Sequence, residues 1–107
     1  MPRIVRCGLI QASTPLSADK HSLAAIKEAM IKKHRKLIAQ AARKKVQVLC
    51  LQELFNGPYF CAEQDARWYQ MAEPVPGGPT IKVMQRLAGR YGMVMVVPGY
   101  EEEMTGF

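Results

Sequence analysis

The chain has 107 residues, the length of one domain, and its 49% hydrophobic and 22% charged residues are ordinary globular material, which excludes a disordered or collagen-like polymer. The net charge of +6 suggests nucleic acid until it is mapped: residues 20–45 hold nine Lys or Arg against one acid, Glu28, and the remainder is slightly acidic. Without a groove-binding motif or base-stacking aromatics, such a cluster reads as the solvated face of a helix, and nucleic acid is not the expected partner.

Residues 4–11 predict the first β-strand. The apolar stretch around them is broken by Arg6 and Gln11 too soon for a signal-peptide core. No apolar run reaches the roughly 18 residues of a membrane span, so none is expected and the cytoplasm is the expected compartment. A loop through "STPLSADK" leads to a helix over residues 22–44, with Leu23, Ile26, Met30, Leu37 and Ala41 on one face. Packing by that stripe turns Lys32, Lys33, Arg35, Lys36, Arg43 and Lys44 toward solvent. Residues 46–51, rich in Val and Leu, predict a strand covered on both faces and joined to the first as a parallel pair by a right-handed crossover.

Residues 62–72 predict a short helix, and "EPVPGGPT" is a loop by its Pro and Gly content. Pro79 then opens a helix with Ile81, Met84, Leu87, Ala88 and Tyr91 on one face and Gly92 placed to end it. A third strand over residues 93–97 is stopped by Pro98 and Gly99. This order is that of an α/β layered sheet, without internal repeat or interdomain linker.

Cys7, Cys50 and Cys61 are odd in number and lack a CxxC pair, which argues against disulfides and agrees with a reducing compartment. Cys7 and Cys50 fall inside predicted strands and read as small buried hydrophobes. His21 and His34 lie in a polar stretch with no spaced ligand set, so no metal is expected, and no cofactor is called for.

The stretch "VQVLCLQELFNGPYFC" carries the chemistry. Its apolar run stops at a carboxylate, Glu53, two residues past Leu51. In open α/β sheets ligands gather beyond the carboxyl ends of the strands, where Glu53 would point, with Phe55, Tyr59 and Phe60 as walls. Partial desolvation by those aromatics would suit a general base. Read from position alone, Glu53 could equally cap a turn or pair with a nearby Lys.

"GLIQAS", "VQVLCLQELFNGPYFC", "PGGPT" and "MVMVVPGYEEEMTG" together resemble the nitrilase superfamily of carbon-nitrogen hydrolases over essentially the whole chain. The "LQELF" and "YFC" segments resemble its β-ureidopropionase and N-carbamoylputrescine amidase branch most closely. The resemblance implies an α-β-β-α sandwich and a Glu-Lys-Cys triad, with the glutamate of the "QE" motif as general base, which transfers to Glu53. It also implies a small-molecule N-carbamoyl substrate, and the complete form is expected to be a homo-oligomer.

In the family the lysine follows in an R-K-x-H motif and the cysteine later in a C-x-D segment, and residues 1–107 contain neither. Cys61 is the only cysteine that follows Glu53 closely, and its "YFC" setting is not that of the family's nucleophile. Residues 1–107 are therefore expected to be the N-terminal part of a longer carbon-nitrogen hydrolase domain, a partial α-β-β-α sandwich, inactive alone. The alternative is a non-catalytic α/β interaction module whose basic helix meets an acidic partner or nucleic acid.

Overall fold

A computed structural model describes residues 3–17, 20–57, 70–99 and 101. Among these residues three short strands alternate with two helices: β1 (Cys7–Leu9), α1 (Leu23–Arg43), β2 (Val48–Cys50), α2 (Pro79–Tyr91) and β3 (Val94–Val96). The predicted helix over residues 62–72 lies outside the described residues except at its last three positions.

Both long helices start and stop where local chemistry dictates. At the head of α1 the Ser22 hydroxyl accepts from the Ala25 N–H at 3.1 Å, satisfying a donor that has no partner inside the helix. At its other end Lys45 takes a left-handed φ of 62°, Lys45 N–H donates to Ala42 O and Val46 N–H to Ala41 O. That pair of bonds is the usual reversal after a helix, here built without glycine. α2 opens on Pro79, whose missing N–H costs nothing there, and closes on Gly92 at φ 60°.

The strands form one parallel sheet in the order β1-β2-β3, with Cys7 opposite Val48 and Val48 opposite Val94. Side chains alternate across a sheet, so Gly8, Leu49 and Met95 share one face while Cys7, Leu9, Val48, Cys50, Val94 and Val96 share the other. Ile38 of α1 and Met84 and Leu87 of α2 close over the first face, joining Ile10, Leu49, Leu51, Phe55 and Met93 in the core. Gly8 leaves room for this packing, since a Cβ there would sit 3.2 Å from Leu49 Cδ1.

The opposite face is bare among the described residues. Leu9 is 84% exposed, Val94 64% and Val96 50%, with Cys7 exposed and Cys50 half-buried beside them. Two expectations are corrected here: among the described residues only one face of residues 46–51 is covered, and neither Cys7 nor Cys50 is a core residue. Each strand is also shorter than its apolar run, because pairing rather than composition sets where a strand stops.

His34 is a further correction. The sequence places it in a polar stretch, yet its side chain is fully buried, one turn on from Met30 and one before Ile38. Its Nδ1 lies 2.8 Å from Met30 O, and a carbonyl can only accept, so the proton sits on Nδ1. Among the described residues the buried Nε2 lone pair finds no partner. Burial holds the His34 pKa below its ordinary 6.5; the Met30 carbonyl opposes this and the neighbouring Lys33 charge adds to it.

A histidine kept neutral in the fold but free to ionise when unfolded favours unfolding as pH falls below its unfolded value. We expect stability to be intact above pH 6.5 and to decline below it, by at most about 1.4 kcal/mol per pH unit, until the folded pKa is reached. Thermal melts at pH 7.5 and 5.5 should therefore show a smaller acid-induced fall for His34→Leu than for the parent chain. Equal falls would remove His34 as the cause.

Candidate functional site

The end of β2 is built from main-chain bonds on one side and a side-chain bridge on the other. Leu51 N–H donates to Val96 O at 3.1 Å, extending the ladder toward β3. On the β1 side the Gln52 carboxamide accepts from Ala12 N–H and donates to Ala12 O, each at 2.5 Å. Residues 53–56 then turn, and Gly57 N–H donates back to Leu54 O at 3.3 Å. The Glu53–Leu54 peptide is cis.

Within this stretch the burial is sharply uneven. Leu51 and residues 54–57 are buried, Gln52 is half-buried, and Glu53 alone is exposed. Its side chain lines an open hollow of about 590 Å³ between the ends of β1 and β2, together with Gln11, Ser13, Cys50 and Gln52. No Lys or Arg lines that hollow, and the Glu53 carboxylate has no hydrogen bond or ion pair among the described residues. The readings of Glu53 as a turn cap or a lysine partner thus find no support here. The Cys50 thiol, on the hollow's wall, points its hydrogen at Leu51 O at 3.5 Å.

The structure brings only part of the predicted site together. Phe55 is not a wall of the Glu53 hollow: it is fully buried in the core, its ring edge-on to His34 with centroids 5.1 Å apart and planes at 74°. Alternation explains this, since a turn that exposes Glu53 rolls the next apolar residues inward. Tyr59, Phe60 and Cys61 lie outside the described residues. No described aromatic lines the Glu53 hollow.

A second carboxylate, Glu73, which the sequence reading left inside a loop, makes three side-chain bonds among the described residues. Glu73 accepts from Lys27 Nζ at 2.6 Å, from Thr80 N–H at 2.7 Å and from Thr80 Oγ1 at 2.5 Å. The cap residue of α2 is Gly78, which has no side chain to offer, so Glu73 satisfies the helix's first turn from outside it. Gly78 cannot be larger, because a Cβ would lie 2.6 Å from Pro74 O and 2.8 Å from Glu73 Cβ. The sequence signal was a carboxylate seven residues before Thr80, upstream of a glycine-headed helix.

Burial alone would raise the Glu73 pKa, but the Lys27 ammonium and the two Thr80 bonds outweigh it and hold the group below its ordinary 4.5. A depressed carboxylate stabilises the fold above its unfolded value, and that contribution fades as pH falls below 4.5. Glu73→Ala leaves the Thr80 N–H and hydroxyl without this acceptor and Lys27 with only the Met71 carbonyl at 3.3 Å, and should destabilise the protein by about 3 kcal/mol in urea titrations at neutral pH. A loss within about 0.5 kcal/mol, as for an ordinary surface change, would contradict this account.

The remaining basic residues behave as a helix surface. Lys33 ties α1 to the loop after β1 through Ser13 O at 2.7 Å, while Lys32, Arg35, Lys36, Arg43 and Lys44 are exposed. Among the described residues no group of three or more His, Cys, Asp or Glu could hold a metal ion, and no helix is long and apolar enough to cross a membrane.

Comparison with known proteins gives this site its setting. The carbon-nitrogen hydrolase family profile matches residues 6–106. A β-ureidopropionase of Arabidopsis thaliana is 37% identical over 103 residues, 96% of this chain and 25% of that protein. An N-carbamoylputrescine amidase of Solanum lycopersicum is 42% identical over 67 residues, 63% of this chain and 22% of its own length. A citrullinase of Francisella tularensis is 28% identical over 66 residues, 62% of this chain and 23% of that enzyme. The chain thus spans about a quarter of the length of these relatives. A parallel α/β sheet, a carboxylate at the mouth of its middle strand and a profile match over nearly every residue together place this chain in the carbon-nitrogen hydrolase family.

Proposed function

We propose that the protein carrying this chain hydrolyses N-carbamoyl (ureido) amines or amino acids such as β-ureidopropionate, with Glu53 as general base. The observation that supports this most is the carboxylate itself: exposed, unpaired among the described residues, and set in a hollow at the carboxyl end of β2. A structural acid would have a partner, as Glu73 does. Relatives named for β-ureidopropionate and N-carbamoylputrescine supply the substrate class.

In this reading a cysteine thiol loses its proton to Glu53 as its sulfur adds to the carbonyl carbon, and a lysine ammonium stabilises the oxygen that becomes negative. As the adduct collapses, its NH2 nitrogen takes back the proton held by Glu53 and leaves as ammonia; water, with the same carboxylate as base, then frees the S-carbamoyl group from the thiol as a carbamate, which loses CO2 to give the amine. The thiol and the lysine come from outside residues 1–107, since the R-K-x-H and C-x-D segments do not occur within them. Tyr59 and Phe60 are the proposed substrate walls, while Phe55 serves the site from below by anchoring the turn. The non-catalytic alternative, with the basic face of α1 against an acidic partner, leaves the unpaired Glu53 without a task.

Ammonia release from N-carbamoyl-β-alanine and N-carbamoylputrescine by the complete protein tests the assignment. Turnover of at least one is expected, and none above background from residues 1–107 alone. Failure of the complete protein on both compounds would overturn the substrate class, and activity of residues 1–107 would show that a nucleophile lies within them.

A further inference from the structure

The geometry points to Gln52 as the positioning residue for Glu53, holding the end of β2 so that the adjacent carboxylate stays in its hollow. The inference rests on the proposed role of Glu53 as base.

The parallel ladder between β1 and β2 runs as far as Ile10 N–H donating to Cys50 O at 3.0 Å. One step further, regular pairing would take the Ala12 N–H to the main-chain oxygen of residue 52. The Gln52 side chain stands there instead, bonded to both Ala12 N and Ala12 O. A carboxamide carries a donor and an acceptor in one plane, as a peptide group does, so it can replace a rung of the ladder. A carboxylate lacks the donor, an ammonium lacks the acceptor, and Asn is one methylene short.

This substitution frees the main chain of residue 52 to leave the sheet while keeping it fastened to β1. The chain can turn at residues 53–56 without the strand end fraying. Across the turn, Phe55 is locked in the core against buried His34. Glu53 is thereby fixed at its main chain from both sides while its side chain stays unbonded. A general base needs that arrangement: a backbone placed to within a fraction of an ångström and a carboxylate with no competing partner.

A merely structural staple would cost stability and nothing else, so the test must separate the two. In the complete protein, kcat on a ureido substrate is measured for Gln52→Ala, for Glu53→Gln and for the double variant. Gln52→Ala should lower kcat roughly ten- to a hundredfold, the usual cost of misplacing a catalytic group, and should speed amide exchange at Ala12. Placed on Glu53→Gln, the same change should alter kcat by less than about twofold, because there is no base left to misplace. Equal factors in both backgrounds, or full kcat in Gln52→Ala, would overturn the inference about Gln52 alone. Normal turnover by Glu53→Gln would instead overturn the base assignment on which it rests. If Gln52→Ala does not fold, Gln52→Met, which keeps the length and loses both bonds, goes through the same cycle with the same readings.

Discussion

Glu53→Gln in the complete protein should cut turnover of a ureido substrate at least about a hundredfold while leaving the melting temperature unchanged, because a positioned general base contributes that much and more to rate. The two halves of this result come from one observation. Glu53 is exposed and makes no hydrogen bond or ion pair among the described residues, so the amide that replaces it breaks nothing. Exposed changes of that kind stay within about 0.5 kcal/mol. The catalytic loss has the opposite origin: an amide of the same shape cannot take a proton from a thiol. Loss of rate together with loss of stability would show a structural acid. Near-normal rates would remove Glu53 from the chemistry, and with it the functional reading of the hollow.

The second large effect concerns the bare face of the sheet. Leu9, Val94 and Val96 point away from the helices and into solvent, flanked by Cys7 and Cys50. β1 and β3 also present open edges among the described residues. Exposed apolar faces and unpaired edges are what sheets bury by association. Residues 1–107 expressed alone should therefore form dimers or larger species, or fold only marginally, as seen by sedimentation over a range of concentrations. Placing Lys at both Leu9 and Val96 should shift the distribution toward monomer, since a buried unpaired charge is costly. A cooperative monomer with protected β1 and β3 amides at high concentration would mean that this face needs no cover.

Helices α1 and α2, the parallel α/β order and the family resemblance were legible in the amino-acid string. α1 was expected over residues 22–44 and runs Leu23–Arg43, and α2 opens at Pro79 and ends before Gly92 as read. Helix limits are local: a hydroxyl, a proline or a glycine within a few residues decides them. Glu53 stood out for a similar reason, as an acid closing an apolar run in a known motif, and its role as base stays a proposal.

What only the tertiary structure decided are contacts between residues far apart in the chain. Gln52 meets Ala12 across 40 positions, and Glu73 meets Lys27 across 46. His34 looked polar by its neighbours Lys33 and Arg35, but the pitch of α1 sets it beneath Phe55. Phe55 looked like a substrate wall from its spacing, and the turn that exposes Glu53 sends it into the core instead. A sequence states which groups are available and how they repeat along one element. Which carboxylate stays free and which is neutralised depends on the partner that folding brings within about 3 Å, where a hydrogen bond or ion pair forms.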